Sequence, residues 1–191
     1  MRIKTVLFEK KMKDYRFRKN EETIIKVYRA EYKNEITTKK LAKEAGVCRA
    51  TMYFHHRSTK EILPDYRKYL LVQYSRGLKS KINKENILIK TLFLDVLLFI
   101  VKNKNIFEMF LQFGDKSVLE KMLWKLKPRI VDFTGISEQS DKSFRIFVSE
   151  AIEIIVEWGE KGFSEMEIER VLGDIMYLAK TAKTRLAPIS S

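Results

Sequence analysis

Apolar residues recur at spacings of three and four along most of the chain, which is the period of an amphipathic α-helix. The clearest stripe ends at Gly159 and comprises Phe144, Phe147, Val148, Ala151, Ile152, Ile155 and Trp158. A second stripe follows Ser164 and Glu167, which have the spacing of a capping box, and comprises Ile168, Val171, Leu172, Ile175 and Ala179. Strand-type alternation is scarce, and only seven glycines and three prolines interrupt the 191 residues. The pattern therefore predicts an all-α protein.

The middle of the chain is also predicted to be helical. Ser58 and Glu61 form a further capping box, which is expected to open a helix toward Leu78 that Pro64 bends or delays. An apolar helix is predicted over residues 87–102. A short helix is expected to run from a cap at Asn105 to Phe113 and to end at Gly114, and another to cover residues 116–133 with an interruption at Pro128.

The segment 36–63 has the pattern of two short helices around one glycine, followed by the start of a longer helix. Thr37 is placed as an N-cap, with Ile36 and Leu41 spaced as a hydrophobic staple around it. Gly46 supplies a left-handed turn, and the second helix is predicted to run from about residue 48 to residue 56. This is the construction of a helix-turn-helix, whose second helix is shaped to enter a DNA major groove.

Charge is unevenly distributed along the chain. Residues 1–60 hold 17 lysines and arginines against 7 acidic residues, so ten of the thirteen excess positive charges lie in the first third. A uniformly basic protein would have a high pI without this asymmetry. The skew therefore favours a polyanionic partner for the N-terminal part alone.

The side chains expected to contact DNA lie on and beside the second short helix. Val47 and Met52 are predicted to face inward, while Arg49 faces outward, where it could bind guanine O6 and N7. Other positions are suited to phosphate contacts that set the register. Three alternatives stay open: core packing for Tyr53, a solvated charge for Arg49 and a local hydrogen bond for His55. The predicted set is Thr37, Thr38, Lys39, Arg49, Ala50, Thr51, Tyr53, Phe54, His55 and Lys60.

This segment resembles the DNA-binding domain of the TetR family of bacterial transcriptional regulators. The matching residues are Thr37, Thr38, Leu41, Ala42, Ala45, Gly46, Val47, Thr51, Met52, Tyr53, His55 and the run 58–63. Several positions depart from the family pattern, and the usual glycine–aromatic turn before Thr37 is missing. Cys48 stands where a serine cap is usual, His56 replaces an apolar residue that packs the head, and Thr59 replaces a lysine.

The resemblance implies an N-terminal three-helix DNA-binding head and a helical-bundle body for regulation and dimerisation. We expect residues 1–60 to form the basic arm and the head, and residues 61–191 the ligand-binding and dimerisation domain. The expected function is sequence-specific binding of double-stranded DNA by a homodimer on a palindromic operator, as a ligand-responsive repressor. The alternative is a TetR-like protein-binding or co-activating module that has lost operator recognition.

Aromatic residues concentrate in the middle of the predicted body. They are interpreted either as the lining of an apolar cavity for a small-molecule inducer of unknown identity or as an ordinary packed core. Asp95 lies on the same apolar helix. If it is buried it needs a cationic ligand or a nearby lysine, and if it is exposed it carries no such implication. The predicted pocket residues are Phe93, Asp95, Phe99, Phe107, Phe110 and Trp124.

The two long stripes near the C-terminus are wider than one core-facing side requires. A four-helix interface between two copies, built from both helices of each, is therefore predicted. One small head also discriminates too weakly between a specific site and bulk DNA. Each good base contact contributes ~1–3 kcal/mol, whereas a specific site needs ~4–10 kcal/mol. The predicted interface residues are Phe147, Ala151, Ile154, Ile155, Trp158, Val171, Ile175 and Leu178.

Several other function classes are disfavoured. The single cysteine fits a reducing cytoplasm and excludes an internal disulfide. Cys48 is two helical turns from His55 and His56, too far to share a metal ion, so no metal site is expected. Without a glycine-rich phosphate loop or a convergent carboxylate pair, neither an enzyme nor a cofactor is expected. The longest apolar run is about ten residues, too short for a membrane span, which needs ~20.

Overall fold

The computed structural model describes residues 22–29, 36–56, 58–82, 87–134 and 141–185. In these residues all regular structure is helical, so the all-α prediction is confirmed. The chain splits into two compact units, Met1–Tyr69 and Leu70–Ser191. The division falls inside a long helix rather than in a linker, and the domain boundary predicted at residue 60 stays a prediction. No helix of the described ranges is long and apolar enough to cross a membrane.

In its described residues, the first unit contains three short helices and the start of a long one. They are α1 (residues 22–29), α2 (Thr38–Glu44), α3 (Arg49–His55) and α4 (Ile62–Ile82), with a 3-10 turn at Thr59–Glu61 before α4. Helices α2 and α3 pack against each other. The buried apolar side chains of this unit are Ile24, Ile25, Tyr28, Ile36, Leu41, Ala42, Ala45, Met52, Ile62 and Tyr66. Residues 1–19, the predicted basic arm, lie outside the described ranges.

The second unit continues α4 and adds six helices in the described ranges. They are α5 (Ile89–Lys102), α6 (Lys104–Gln112), α7 (Ser117–Trp124), α8 (Lys127–Thr134), α9 (Asp141–Glu160) and α10 (Ile168–Arg185), with a 3-10 turn at Glu165–Glu167. Helix α10 packs against α5, α8 and α9, and α9 also packs against α6 and α7. The core of this unit therefore lies around the two long C-terminal helices.

Three of the described helices end on a glycine in the left-handed conformation. At the end of α2, Gly46 has φ 64°, and the Val47 N–H donates to the Ala42 carbonyl at 2.9 Å. Gly114 and Gly162 end α6 and α9 in the same way, with φ of 67° and 75°. These bonds satisfy carbonyls that the last helical turn leaves without partners, and the positive φ favours glycine. The turn predicted at Gly46 is confirmed.

The predicted serine and asparagine caps are wrong. Neither Ser58 nor Ser164 makes a side-chain capping bond, and in both places the serine is followed by a 3-10 turn that precedes the helix. Helix α6 begins after Asn103 rather than Asn105, and the Asn103 amide instead donates to the Phe99 carbonyl at 2.8 Å. Capping sequences indicate where a chain turns into a helix, but the preceding turn decides which atoms reach the free N–H groups.

Both prolines predicted to interrupt helices lie in a first turn. Pro64 is two residues after the start of α4, and Pro128 is the second residue of α8. A proline is tolerated there because the first N–H groups of a helix have no partner within the helix. The expected delay at Pro64 and the interruption at Pro128 are both observed.

The inward stripes of α9 and α10 are confirmed, but most of the predicted dimer residues are not available to a second copy. Six of the eight are at most 2% exposed within a single chain: Phe147, Ala151, Ile155, Trp158, Val171 and Ile175. They pack the core of their own unit, so assigning them to an interface is wrong. Ile154 and Leu178 are partly exposed. The stripes are wide because α9 and α10 each contact more than one helix of the same chain.

Candidate functional site

Helix α3 is positioned by its first residues and by one buried side chain. The Cys48 sulfur accepts the Thr51 N–H at 3.3 Å, so a thiol caps the helix where a hydroxyl would be usual. Met52 is fully buried, while Val47 is only partly so. The turn before α3 is fixed by the bonds at Gly46 described above. A seven-residue helix is thus held against α2 from one side.

The opposite side of α3 faces away from the core. Arg49 and Ala50 are exposed, and Tyr53 is 49% exposed, which excludes the alternative of core packing for this tyrosine. The Arg49 Cζ lies 5.9 Å from the centroid of the Tyr53 ring, within range of a cation–π contact. One helix face therefore presents a guanidinium, an aromatic ring and a small residue side by side.

Residues of α2 and the following turn complete the predicted set. The Thr37 hydroxyl accepts the Lys40 N–H at 3.2 Å, which confirms Thr37 as the N-cap. Lys39 and Lys60 are exposed, and Thr38 and Thr51 are partly exposed. The side chains of Phe54 and His55 lie outside the described part of the structure.

The C-terminal end of α3 is anchored by a buried histidine whose carboxylate partner the sequence did not predict. His56 follows α3, is 3% exposed, and its Nδ1 lies 2.9 Å from an Asp65 carboxylate oxygen on α4. Because a carboxylate only accepts, Nδ1 carries the hydrogen. The imidazole also packs at 5.5 Å from the Tyr66 ring. His56 is thus packed in the core of the first unit, and no local spacing signal marks Asp65 as its partner.

The single cysteine has an altered acidity. The Thr51 hydroxyl lies 3.0 Å from the Cys48 sulfur. This contact, with the Thr51 N–H, lowers the pKa of the exposed Cys48 thiol below its ordinary value, because both hydrogen bonds favour the thiolate. In the described ranges, no three histidine, cysteine, aspartate or glutamate side chains lie close enough together to hold a metal ion.

The aromatic residues of the predicted pocket pack against other rings. Phe93, Phe107 and Phe110 are at most 1% exposed. Phe99 and Phe107 meet edge to face at 6.3 Å, and Phe107 meets Phe163 at 6.4 Å. Trp124 pairs elsewhere, with Phe144 at 4.9 Å. These ring contacts are those of a packed core, and the pocket stays a prediction.

Asp95 has a lysine as its partner, one of the two possibilities left open by the sequence. The Lys81 ammonium donates to both carboxylate oxygens at 2.7 and 2.8 Å. Tyr74 lies nearby, and its buried hydroxyl has no hydrogen-bond partner in the described ranges. Burial, and secondly the charge of Asp95, raises the pKa of Tyr74 above its ordinary value. Tyr74 was not predicted, since a tyrosine on a helical stripe gives no sign that its hydroxyl is left without a partner.

Comparisons of this chain with family models, with curated proteins and with solved structures found no match.

Proposed function

We propose that this protein is a DNA-binding transcriptional regulator of the TetR type, in which α2 and α3 form a helix-turn-helix and α3 is the recognition helix. The observation that carries the proposal is the two-sided character of α3. Met52 is buried completely, while Arg49 and Tyr53 lie exposed on the other side. A short helix locked from one side and carrying donors on the other suits insertion into a major groove.

The charges around α3 support the same proposal. Lys39 and Lys43 on α2 are exposed, as are Arg49 and Lys60. In this proposal Arg49 reads a guanine through its two outer nitrogens, and Tyr53 keeps the guanidinium extended along the helix face. Lys39, Lys60 and the hydroxyls of Thr37, Thr38 and Thr51 bind phosphates and set the register.

The protein is proposed to bind DNA as a pair of identical chains. A helix as short as α3 offers few side chains to base edges, and each good contact discriminates by ~1–3 kcal/mol. Two copies on a palindrome, with recognition helices ~34–36 Å apart, double that discrimination. A small-molecule inducer would act by favouring a spacing of the two recognition helices that is unsuited to DNA. Inducer and operator would then each lower the affinity of the protein for the other.

The test separates base reading from phosphate binding. Duplexes retained by the protein from a random-sequence library are used in gel shifts at several salt concentrations. Arg49→Ala is expected to weaken binding to the selected duplex by about tenfold or more and to weaken binding to unselected DNA much less, because a bidentate base contact is lost. Lys39→Ala is expected to weaken all duplexes alike and to reduce the salt slope by ~1.

Lys102→Ala is the control, since it removes an exposed positive charge from the second unit. Equal loss on all sequences for Arg49→Ala would reject its role in base reading. If no duplex is retained at low salt, the DNA-binding proposal fails, and the protein-binding alternative becomes the better explanation of the fold.

A further inference from the structure

Two positively charged side chains lie over the ring of Trp124, where helices α7 and α9 pack against each other. The Arg145 Cζ is 5.3 Å from the centroid of this ring and the Lys127 Nζ is 5.5 Å from it, both within range of a cation–π contact. Phe144 supports the arrangement from below, because its ring meets Trp124 edge to face at 4.9 Å. The second unit thus holds a guanidinium and an ammonium in defined positions on one aromatic ring.

The two cations differ in what they offer to a partner outside the chain. The Lys127 ammonium donates to the Asp141 carboxylate at 2.6 Å, and this hydrogen bond with the charge of Lys127 lowers the pKa of Asp141 below its ordinary value. Arg145 is exposed and makes no hydrogen bond or ion pair with any residue that the structure describes. Its N–H donors are therefore available to an acceptor in solution, while the contact with Trp124 restricts the side chain beforehand.

Further positive charge surrounds this ring. At the end of α7, Lys121 lies three residues before Trp124, and Lys125 directly follows it. On α9, Lys142 lies three residues before Arg145. All three lysines are exposed, and residues three apart are neighbours on a helix surface. We call this surface the basic corner, and it comprises Lys121, Trp124, Lys125, Lys127, Lys142 and Arg145.

Charge is separated along this part of the second unit. Residues 116–149 hold seven lysines and arginines against four acidic residues, whereas residues 150–169 hold one against seven. Arg170 lies next to the acidic stretch, and its guanidinium donates to the carboxylates of Glu167 and Asp174. The arginine of the basic corner has no such acceptor among the described residues, which leaves its guanidinium for an anionic group from outside.

The placement of the cations decides which anionic partner fits. Because they lie over its ring, Trp124 is a poor platform for stacking with a nucleobase or for insertion into a lipid interface. A DNA duplex carries one phosphate charge per ~1.7 Å of its axis, and such a closely spaced row would also meet the Asp141 carboxylate. A peptide carries separate carboxylates on flexible side chains, which can reach Arg145 and turn away from Asp141.

We propose that the basic corner binds a short segment of another protein that is rich in aspartate or glutamate. The outer edge of the Arg145 guanidinium holds one carboxylate of this segment through two parallel N–H···O bonds. Lys121, Lys125 and Lys142 attract neighbouring carboxylates and so set the direction of the segment across the surface. The basic corner lies in the second unit, so this interaction goes beyond the proposed DNA-binding function and does not depend on it.

Trp124 allows binding to be measured in the full chain. The chain has two tryptophans, and the other, Trp158, is fully buried with its indole N–H bonded to the Ser164 carbonyl. Titration with hexaglutamate at low salt is expected to change the tryptophan emission saturably, and added salt is expected to reverse the change. Hexaglutamate held by the basic residues 1–60 contacts no tryptophan, because that part of the chain contains none.

Three substitutions test the role assigned to the guanidinium. Arg145→Gln is expected to move the midpoint of the titration to about tenfold higher peptide concentration, because a charge-assisted bidentate contact is lost. Arg145→Lys keeps the charge and is still expected to weaken binding several-fold, since an ammonium cannot form the paired bonds. Lys102→Gln removes an exposed charge elsewhere in the second unit and is expected to leave the midpoint unchanged. Circular dichroism checks that each variant remains helical.

A second measurement does not depend on the emission of Trp124. Carbodiimide joins carboxylates to lysines that they contact, and mapping of the products by mass spectrometry identifies the lysines. Hexaglutamate is expected to be coupled to Lys121, Lys125 or Lys142 in the original chain and much less in Arg145→Gln.

No saturable change in emission at low salt, or no coupling to these three lysines, would overturn the inference. Equal weakening by Arg145→Gln and Lys102→Gln would also overturn it, because net charge and not the geometry at Trp124 would then govern binding. A response of Trp124 to a short DNA duplex or to phosphatidylglycerol vesicles at lower concentration than to hexaglutamate would reject an acidic protein segment as the partner. Failure of the gel shifts described above would refute the proposed function alone, since those assays concern Arg49 and Lys39 in the first unit.

Discussion

Gly159 provides the sharpest test of how the second unit is packed. An alanine Cβ at this position would lie 2.4 Å from Leu111 Cδ1 and 2.8 Å from Phe163 Cζ. Carbon atoms normally approach to ~3.5–4.0 Å, so both neighbours would have to move. Leu111 is partly exposed and can change its rotamer. Phe163 cannot easily move, because it is 2% exposed and packs edge to face on Trp158 at 5.1 Å.

The expected magnitude follows from comparison with a second glycine. Overpacking a core costs ~1–3 kcal/mol, while exchanging glycine for alanine in a helix gains up to ~1 kcal/mol. Gly77→Ala on α4 makes the same exchange with no atom within 4 Å of the new Cβ. The helix-propensity gains approximately cancel between the two variants. Gly159→Ala is therefore expected to be less stable than Gly77→Ala by ~1–3 kcal/mol, or ~2–12 °C in melting temperature for a chain of this size.

Thermal unfolding followed by far-ultraviolet circular dichroism measures this difference directly. Combining Gly159→Ala with Leu111→Ala removes the closer of the two contacts. The double variant is therefore expected to lose less stability than the two single variants lose in sum. Equal melting temperatures for Gly159→Ala and Gly77→Ala would show that the corner between α9 and α10 is not packed as described.

Two further predictions concern the first unit. Asp65→Ala is expected to destabilise the protein by ~1–3 kcal/mol, because buried His56 loses its carboxylate partner. Asp65→Asn keeps an acceptor oxygen and should lose less stability in the same thermal unfolding assay. Equal losses of stability for the two variants would argue against this hydrogen bond. The lowered pKa of the Cys48 thiol predicts that its alkylation by iodoacetamide reaches half-maximal rate at a lower pH in the folded protein than in the unfolded chain. Thr51→Val should move that midpoint toward higher pH, and an unchanged midpoint would contradict the assigned role of the hydroxyl.

Local features of the sequence were sufficient for much of the first unit. Thr37 caps α2 and Gly46 ends it, because both effects depend on atoms within a few residues of chain. Burial of Met52 and exposure of Arg49 follow from the helical period once the ends of α3 are known. The Asp65 partner of His56 was not predictable in this way, since it depends on how the chain turns between α3 and α4.

What the sequence determined by itself is the helical class of the protein and which side of each long helix is apolar, because both depend on a period of 3.6 residues that any helix must obey. Only the tertiary structure decided what covers those sides. Trp158 and Val171 carry the same apolar signature whether they meet their own chain or another copy, and they meet their own. The sequence likewise left a ligand or a lysine as the partner of Asp95, and the approach of Lys81 supplied the lysine. Burial is a property of distant segments brought together, so a local pattern can require it without naming the partner.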